Sequence, residues 1–117
     1  MYAGADLWVR RLREEVDGIA AALLSRDGTV LYADVLGNGW VETFGLLCAT
    51  AFGAAATASA ELGRAPPERV TVSGPDASAV LLAVGRTALL VVVVPTGADD
   101  ASVWERARAL AGAVARE

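Results

Sequence analysis

The side chains that most often perform chemistry in proteins are scarce in this chain. Its 117 residues include no His, no Lys and one Cys, Cys48. The chain therefore has no imidazole base, no lysine for a Schiff base and no lysine for a phosphate-binding loop. Cys48 lies within an uncharged apolar run, which favours a small core side chain over a reactive thiol. One cysteine cannot form an intrachain disulfide, which fits a reducing cytoplasm.

The carboxylates do not form a catalytic pair in the sequence. Acidic residues adjoin at Glu14–Glu15 and at Asp99–Asp100, but sequence neighbours on a helix do not face each other. We interpret the first pair as solvated charge and the second as a cap of the last helix.

The loops offer only weak signals for phosphate chemistry. Arg26 and Arg64 lie in predicted loops, from which an arginine can reach a transferred phosphoryl group, but nothing singles out either residue. The loop Gly37-Asn38-Gly39 has neither the GxGxxG spacing nor a neighbouring Lys. We predict a protein that is not an enzyme and that has no cofactor or metal site.

Composition limits the partners and the organisation of the chain. The net charge is −4, and all ten basic residues are Arg, scattered rather than clustered. A basic face for nucleic acid is therefore not expected. At 55% hydrophobic residues the chain can bury a core, and its length predicts one domain over residues 1–117.

The chain is organised around an uncharged segment, residues 43–60, which reads TFGLLCATAFGAAATASA. Its Ala, Leu and Thr content and its lack of Pro predict a helix. The segment has nearly the length of a membrane span. Ala, Thr, Ser and Gly insert weakly, however, and no basic residues flank the segment. We predict a cytoplasmic protein that does not enter the membrane.

Two stripes run along this predicted helix. Residues at steps of three and four are expected to face the protein's own sheet; they are Phe44, Leu47, Cys48, Ala51, Phe52, Ala55, Ser59 and Leu62. A second stripe contains small residues four apart: Gly45, Ala49, Gly53 and Thr57. A Gly inside a helix costs roughly 1 kcal/mol relative to Ala, so this stripe predicts close approach of another backbone.

The flanking segments alternate between strand and helix signals. Residues 6–17 read as an amphipathic helix with Asp6 as its N-cap. Two strands, 19–24 and 29–36, follow it, joined by a turn in which Gly28 is free to take a positive φ.

The second half of the chain supplies three more strands and a helix. Residues 69–73 alternate in polarity, which predicts a half-exposed edge strand. Strands at 78–84 and 87–94 are apolar throughout, and 87–94 is the best candidate for the centre of the sheet. A last helix has a buried stripe of Val103, Ala107, Leu110 and Val114.

These elements predict an α+β fold. Short turns join successive strands, so the pairs are antiparallel. Strands that are apolar on both faces must be covered on both faces. The long helix can cover one face, and the first and last helices can share the other.

An open edge strand beside an uncharged helix predicts a homodimer. A two-fold dimer can pair residues 69–73 edge to edge and pack the two long helices together. The candidate interface residues are Phe44, Gly45, Cys48, Ala49, Phe52, Gly53, Thr57, Val70, Thr71 and Val72. Trp40 either packs at the helix start or anchors a partner.

The order of elements resembles the roadblock family, related to a dynein light chain. Segments 16–19 and 25–28 carry the resemblance, together with Glu61-Leu62-Gly63, the Val84-Gly85 turn and residues 88–92. The resemblance covers nearly the whole chain. One departure lies at residues 98–102, where family members often have a Gly.

The resemblance implies a profilin-like architecture, with a five-stranded antiparallel sheet between one long helix and a pair of helices. It implies dimers in which the long helices pack and the following strands pair. Family members are mostly non-catalytic, and many bacterial and archaeal ones bind or regulate Ras-like small GTPases.

We therefore expect a dimeric adaptor or regulator of a Ras-like small GTPase. The partner is expected on the paired long-helix face, with Trp40 and Phe44 as possible anchors. One alternative is a scaffold dimer without a GTPase. Another is a small-molecule sensor that uses an apolar cleft between helix and sheet.

Overall fold

The computed structural model describes residues 4–36, 41–98 and 101–115. In chain order the elements are α1 (Ala5–Glu15), β1 (Ala20–Ser25), β2 (Val30–Val35), α2 (Val41–Glu61), β3 (Arg69–Ser73), β4 (Ala77–Val84), β5 (Ala88–Pro95) and α3 (Ala101–Ala115). The predicted helices and strands are all present, and their ends differ from the prediction by a few residues.

The five strands form one antiparallel sheet in the order β2-β1-β5-β4-β3. β5 is the central strand and pairs with both β1 and β4. β3 lies at one edge, and the structure thus confirms both predicted strand positions. The other edge is β2, where a bulge interrupts the register opposite Leu23 and Leu24.

Helices cover both faces of the sheet, which explains why the inner strands are apolar throughout. Seven consecutive residues of β5, 88–94, are buried. Leu90 and Val92 pack in the layer that contains α1 and α3. Leu89 and Val91 pack in the layer that contains α2. The predicted α+β architecture, with one long helix opposite a pair, is confirmed.

The start of α1 differs from the prediction. Gly4, in the left-handed region at φ 75°, is the N-cap and makes no side-chain cap bond, so Asp6 lies within the first helical turn. Farther along α1, the Arg13 guanidinium donates a hydrogen bond to Asp34 on β2, with 2.5 Å between Nε and Oδ2. This partly buried ion pair joins α1 to the edge of the sheet.

The turn between β1 and β2 brings the backbone close to α2. Gly28 has φ 94°, as predicted. A Cβ atom at Gly28 would lie 2.8 Å from the Leu46 Cα, and a Cβ at Gly45 would lie 2.9 Å from the Gly28 carbonyl oxygen. Two glycines therefore allow α2 to pack directly on the tip of the hairpin.

Candidate partner-binding surface

One side of α2 is committed to the sheet of its own chain. Gly45, Cys48 and Phe52 are buried there, at helical steps of three and four. Phe44 and Ala49 are half-buried and pack against the same cluster. Cys48 and Phe52, which the sequence placed in the dimer interface, thus belong to the intramolecular core and offer no surface to a partner.

The stripe of small residues does not stay on one face. Gly45 is buried, Ala49 is half-buried, and Gly53 and Thr57 are exposed. A four-residue step turns an α-helix by about 40° beyond one full turn, so the stripe drifts around the axis. A Cβ atom at Gly53 would meet nothing within 4 Å, in contrast to Gly45. The close approach at Gly45 is therefore intramolecular, whereas Gly53 faces solvent.

The opposite side of α2 is exposed and carries no charge. We call it the α2 outer face; it consists of Thr43, Leu46, Leu47, Thr50, Gly53, Ala54, Thr57 and Ala58. By length and composition alone, Glu42–Glu61 could cross a membrane, and only 17% of that apolar window is buried within the chain. Proteins rarely leave a continuous apolar surface of this kind in contact with water.

The sequence predicts that Leu47 and Leu62 face the sheet, and the structure contradicts both predictions. Leu47 was expected to face the sheet, but it is 63% exposed, and its neighbour Leu46 is 55% exposed. Cys48 occupies the inward position, and a residue one step away points about 100° from it. Leu62, also predicted to face the sheet, is exposed beyond the helix end.

Two of the three hydroxyl groups on the α2 outer face are hydrogen-bonded within the helix. The Thr50 hydroxyl donates to the Leu46 carbonyl at 2.8 Å, and the Thr57 hydroxyl donates to the Gly53 carbonyl at 3.0 Å. Burying a hydroxyl that keeps its hydrogen bond avoids most of the desolvation cost. A partner can therefore cover the face around Thr50 and Thr57 without making new polar contacts.

The β3 edge lies next to this face and is also open. Within the described sheet β3 pairs with β4 alone. Val70 is half-buried against the α2 layer, whereas Thr71 is exposed and Val72 is 51% exposed. A row of unpaired backbone groups beside an exposed Val is a template for strand pairing.

The one charged side chain of β3 is held away from that edge. The guanidinium of Arg69 lies over the ring of Trp104 on α3, 4.4 Å from the ring centroid. Charged side chains commonly protect edge strands. Here a cation–π contact holds the charge against α3, on the far side of the sheet from α2.

Other candidate groups have structural roles. Burial raises the pKa of the Cys48 thiol from 9.0 to about 11, so the thiol stays protonated at neutral pH. Arg26 donates to the Gly85 carbonyl at 3.0 Å and lies 5.5 Å from the centroid of the Phe52 ring. Its side chain therefore braces two hairpin tips. Arg64 is exposed.

The interface between α2 and the sheet is almost closed. Phe44, Ala22 and Val91 line an apolar cavity there of about 10 Å³, whereas ligand sites are typically about 300 Å³ or more. A metabolite at this position would have to separate helix and sheet; an open depression of about 370 Å³ lies farther out, between Glu42 and Leu46 of α2 and the β1–β2 hairpin. Within residues 4–36, 41–98 and 101–115, no three His, Cys, Asp or Glu side chains are grouped to hold a metal.

Some predicted features lie outside the described residues. They are Trp40, the loop Gly37-Asn38-Gly39 and the Asp99–Asp100 cap. The departure from the family pattern at residues 98–102 falls partly there as well.

A comparison with protein families decides what kind of domain this is. The family model of the Roadblock/LC7 domain matches residues 6–94. The chain belongs to the Roadblock/LC7 domain family. The predicted resemblance is confirmed. No curated protein sequence matches the chain closely enough to count as a relative.

Solved structures share the fold over almost the whole chain. A structure described as MglB with a tetrameric arrangement is 24% identical, with a TM-score of 0.89, and the alignment covers 98% of this chain and 88% of that one. Myxococcus xanthus MglB is 16% identical, with a TM-score of 0.90 and coverage of 98% and 94%. A Roadblock/LC7 domain from Streptomyces avermitilis is 22% identical, with a TM-score of 0.86 and coverage of 93% and 92%.

Proposed function

We propose that this protein is a homodimer formed through the β3 edge and the C-terminal half of the α2 outer face, which contains Gly53, Ala54, Thr57 and Ala58. One observation carries the proposal: the long helix buries one side in its own sheet and leaves the other side exposed, uncharged and internally hydrogen-bonded. An apolar surface of this extent is typical of an interface. A second copy of the chain, related by a two-fold axis, can cover this surface with an identical one.

The two open features are compatible with a single two-fold contact. Pairing β3 with β3 of a second copy satisfies both edges and extends the sheet across the dimer. The two α2 helices lie on the same side of that sheet. Gly53, where a Cβ atom would meet nothing within 4 Å, leaves room for the backbone of the other helix. Phe44 and Ala49, both half-buried, flank this contact from the sheet side of α2.

We further propose that the dimer is an adaptor or regulator that binds a Ras-like small GTPase. This role rests on membership of the Roadblock/LC7 family and on structural likeness to MglB proteins. Leu46 and Leu47 are exposed at the N-terminal end of the α2 outer face, two turns of helix before the proposed dimer contact at Gly53 and Ala54. They are suited to remain available to a third chain. The role requires no catalytic group, consistent with the lack of His and Lys.

The oligomeric state tests the first proposal. We expect the wild type to run as a dimer at micromolar concentration in size-exclusion chromatography with light scattering. Gly53→Leu should weaken association, because the new side chain occupies the space reserved for the other helix. The protomer should tolerate it, since nothing lies near that position. Ala109→Leu on the exposed side of α3 is the matched control, and a monomeric wild type refutes the dimer.

Nucleotide-dependent binding tests the second proposal. The purified protein is mixed with each Ras-like GTPase of its own organism, loaded with GDP or with a GTP analogue. Stronger recovery in one nucleotide state supports a regulator, and Leu47→Asp should abolish it. Equal recovery in both states instead supports the scaffold alternative. Failure to bind any of them removes the GTPase role while leaving the dimer intact.

A further inference from the structure

A second surface, on the other side of the sheet, has its own groove. It runs between α1 and α3 on the outside of the protein and has a volume of about 350 Å³. Its floor is apolar: Leu12 is buried, and Trp8 and Leu110 are half-buried against the core. The groove does not depend on the α2 outer face or on the β3 edge.

Both walls of the groove repeat with helical spacing. On α1 the lining residues include Trp8, Leu12 and Glu15; on α3 they include Arg106 and Ala113. Each set spans seven residues, which is about 10 Å or two turns of helix. On α3 the wall is low, because Ala109 and Ala113 carry only a methyl group. Large side chains from a partner can therefore reach the floor.

The chemistry of the walls favours a helix as the occupant. Both walls are helices, whose backbone groups bond within their own elements. An extended peptide would find no ladder of N–H and C=O groups to pair with, and its buried backbone would be unsatisfied. An amphipathic helix satisfies its own backbone and presents apolar side chains at the spacing of the walls. A lipid surface is a poor fit, because charged rims stand on both sides of the concave apolar floor.

The rim carries an unmatched positive charge. Arg106 donates to the Glu15 carbonyl at 3.1 Å, and its guanidinium lies 4.0 Å from the Glu15 carboxylate. In the described part of the chain no carboxylate lies within ion-pair distance of Arg11, which lines the same groove. Arg10 beside it is also exposed. The α1 rim therefore complements a carboxylate.

We infer that the groove between α1 and α3 binds an amphipathic helix of a partner protein, with large apolar side chains at positions i and i+4 and an acidic residue beside Arg11. The apolar pair rests on Trp8 and Leu110, and the helix lies along the α1–α3 seam. This surface is separate from the proposed dimer contact and from the proposed GTPase surface.

A peptide display selection on the intact protein tests the inference. The probe is a library of helical 14-residue peptides with randomised apolar and charged positions. We expect enrichment of sequences with Leu, Ile, Phe or Met at i and i+4 and with Asp or Glu on the flank. Enrichment of basic or proline-rich sequences, or of none, overturns the inference. So does enrichment of peptides that match helices of this chain, which would point to a second copy.

Variants place the binding in the groove. Ala109→Glu, at an exposed position, should weaken an enriched peptide by at least about tenfold, because it blocks the low wall and buries an unpaired charge. Arg11→Gln should weaken an acidic peptide by about two- to fivefold, as for an exposed ion pair, and less at high salt. Thr57→Leu on the α2 outer face should have no effect. Binding that survives Ala109→Glu, with the fold intact by circular dichroism, overturns the inference.

Discussion

The two helical layers of this protein cover opposite faces of the same sheet and differ on their outer sides. α1 and α3 carry charges outward, among them Arg10, Glu14, Glu105 and Arg108, all exposed. α2 carries none between Glu42 and Glu61. A layer needs only one apolar side to cover a sheet. Folding of the protomer therefore does not require the second uncharged side of α2, which instead points to a binding partner.

The contrast extends to the two edges of the sheet. β2 is interrupted by a bulge, and its Asp34 is tied to Arg13 of α1. β3 has a regular register with β4, and its Arg69 is stacked on Trp104. Bulges and charges are devices that discourage strand pairing. They occur at the β2 edge, whereas the β3 edge lies beside the uncharged helix, so both differences point to the same interface.

The largest expected difference between the two layers is the effect of a new charge on dimer dissociation. Ala54→Glu, on the α2 outer face, should weaken the proposed dimer by at least about 100-fold, because an unpaired charge would be buried between helices. Ala109→Glu makes the same change on the exposed side of α3 and should leave the dimer intact. Sedimentation at several concentrations measures both dissociation constants. Equal effects of the two variants would show that α2 is not the interface.

The two glycines of α2 should respond in opposite ways. Gly45→Ala places a methyl group 2.9 Å from the Gly28 carbonyl oxygen, so we expect destabilisation of about 1–3 kcal/mol from overpacking. Gly53→Ala meets nothing in the protomer and should instead gain up to about 1 kcal/mol of helix propensity. Urea unfolding measures both under conditions in which the protein is monomeric. A tolerated Gly45→Ala would mean that α2 can move off the hairpin.

The sequence predicts the layers well because apolar patterning is local information. Continuous apolar strands at 78–84 and 87–94 require two covers, and the alternation at 69–73 requires an edge. These patterns depend on which sides of a strand meet water, and they hold whatever the partners are. The start of α1 was less predictable, because Gly4 begins the helix without a side-chain cap.

The details of the surface are harder to predict, because small rotations decide them. Gly45 and Gly53 are eight residues apart, which corresponds to about 80° around a helix, and only the structure shows that one meets Gly28 and the other meets solvent. Likewise, Leu47 and Cys48 are both apolar, yet Cys48 takes the inward position and Leu47 is 63% exposed. The residue types alone do not show which glycine is buried, or whether Leu47 or Cys48 points towards the sheet.

The buried thiol on the inner side of α2 should make the stability of the protein depend on pH above pH 9. Because burial raises the pKa of the folded Cys48 thiol from 9.0 to about 11, its contribution to stability is complete well below pH 9. Above pH 9 the unfolded thiol ionises first, so stability falls as pH rises towards 11, by about 2–3 kcal/mol. The variant Cys48→Ala has no thiol to ionise, so its pH profile shows the contribution of all the other titrating groups. Identical pH profiles for wild type and variant would mean that the thiol reaches water.

The two sheet edges should differ by a smaller amount. Val72→Lys adds a charge beside the β3 edge, where charged side chains discourage pairing. We expect the proposed dimer to weaken by about 1 kcal/mol, or roughly fivefold, because a long lysine can keep its ammonium group in water. Tyr32→Lys makes the corresponding change on β2, where Tyr32 is 36% exposed, and should leave association unchanged. If Tyr32→Lys weakens the dimer and Val72→Lys does not, the interface lies at the bulged β2 edge and not at β3.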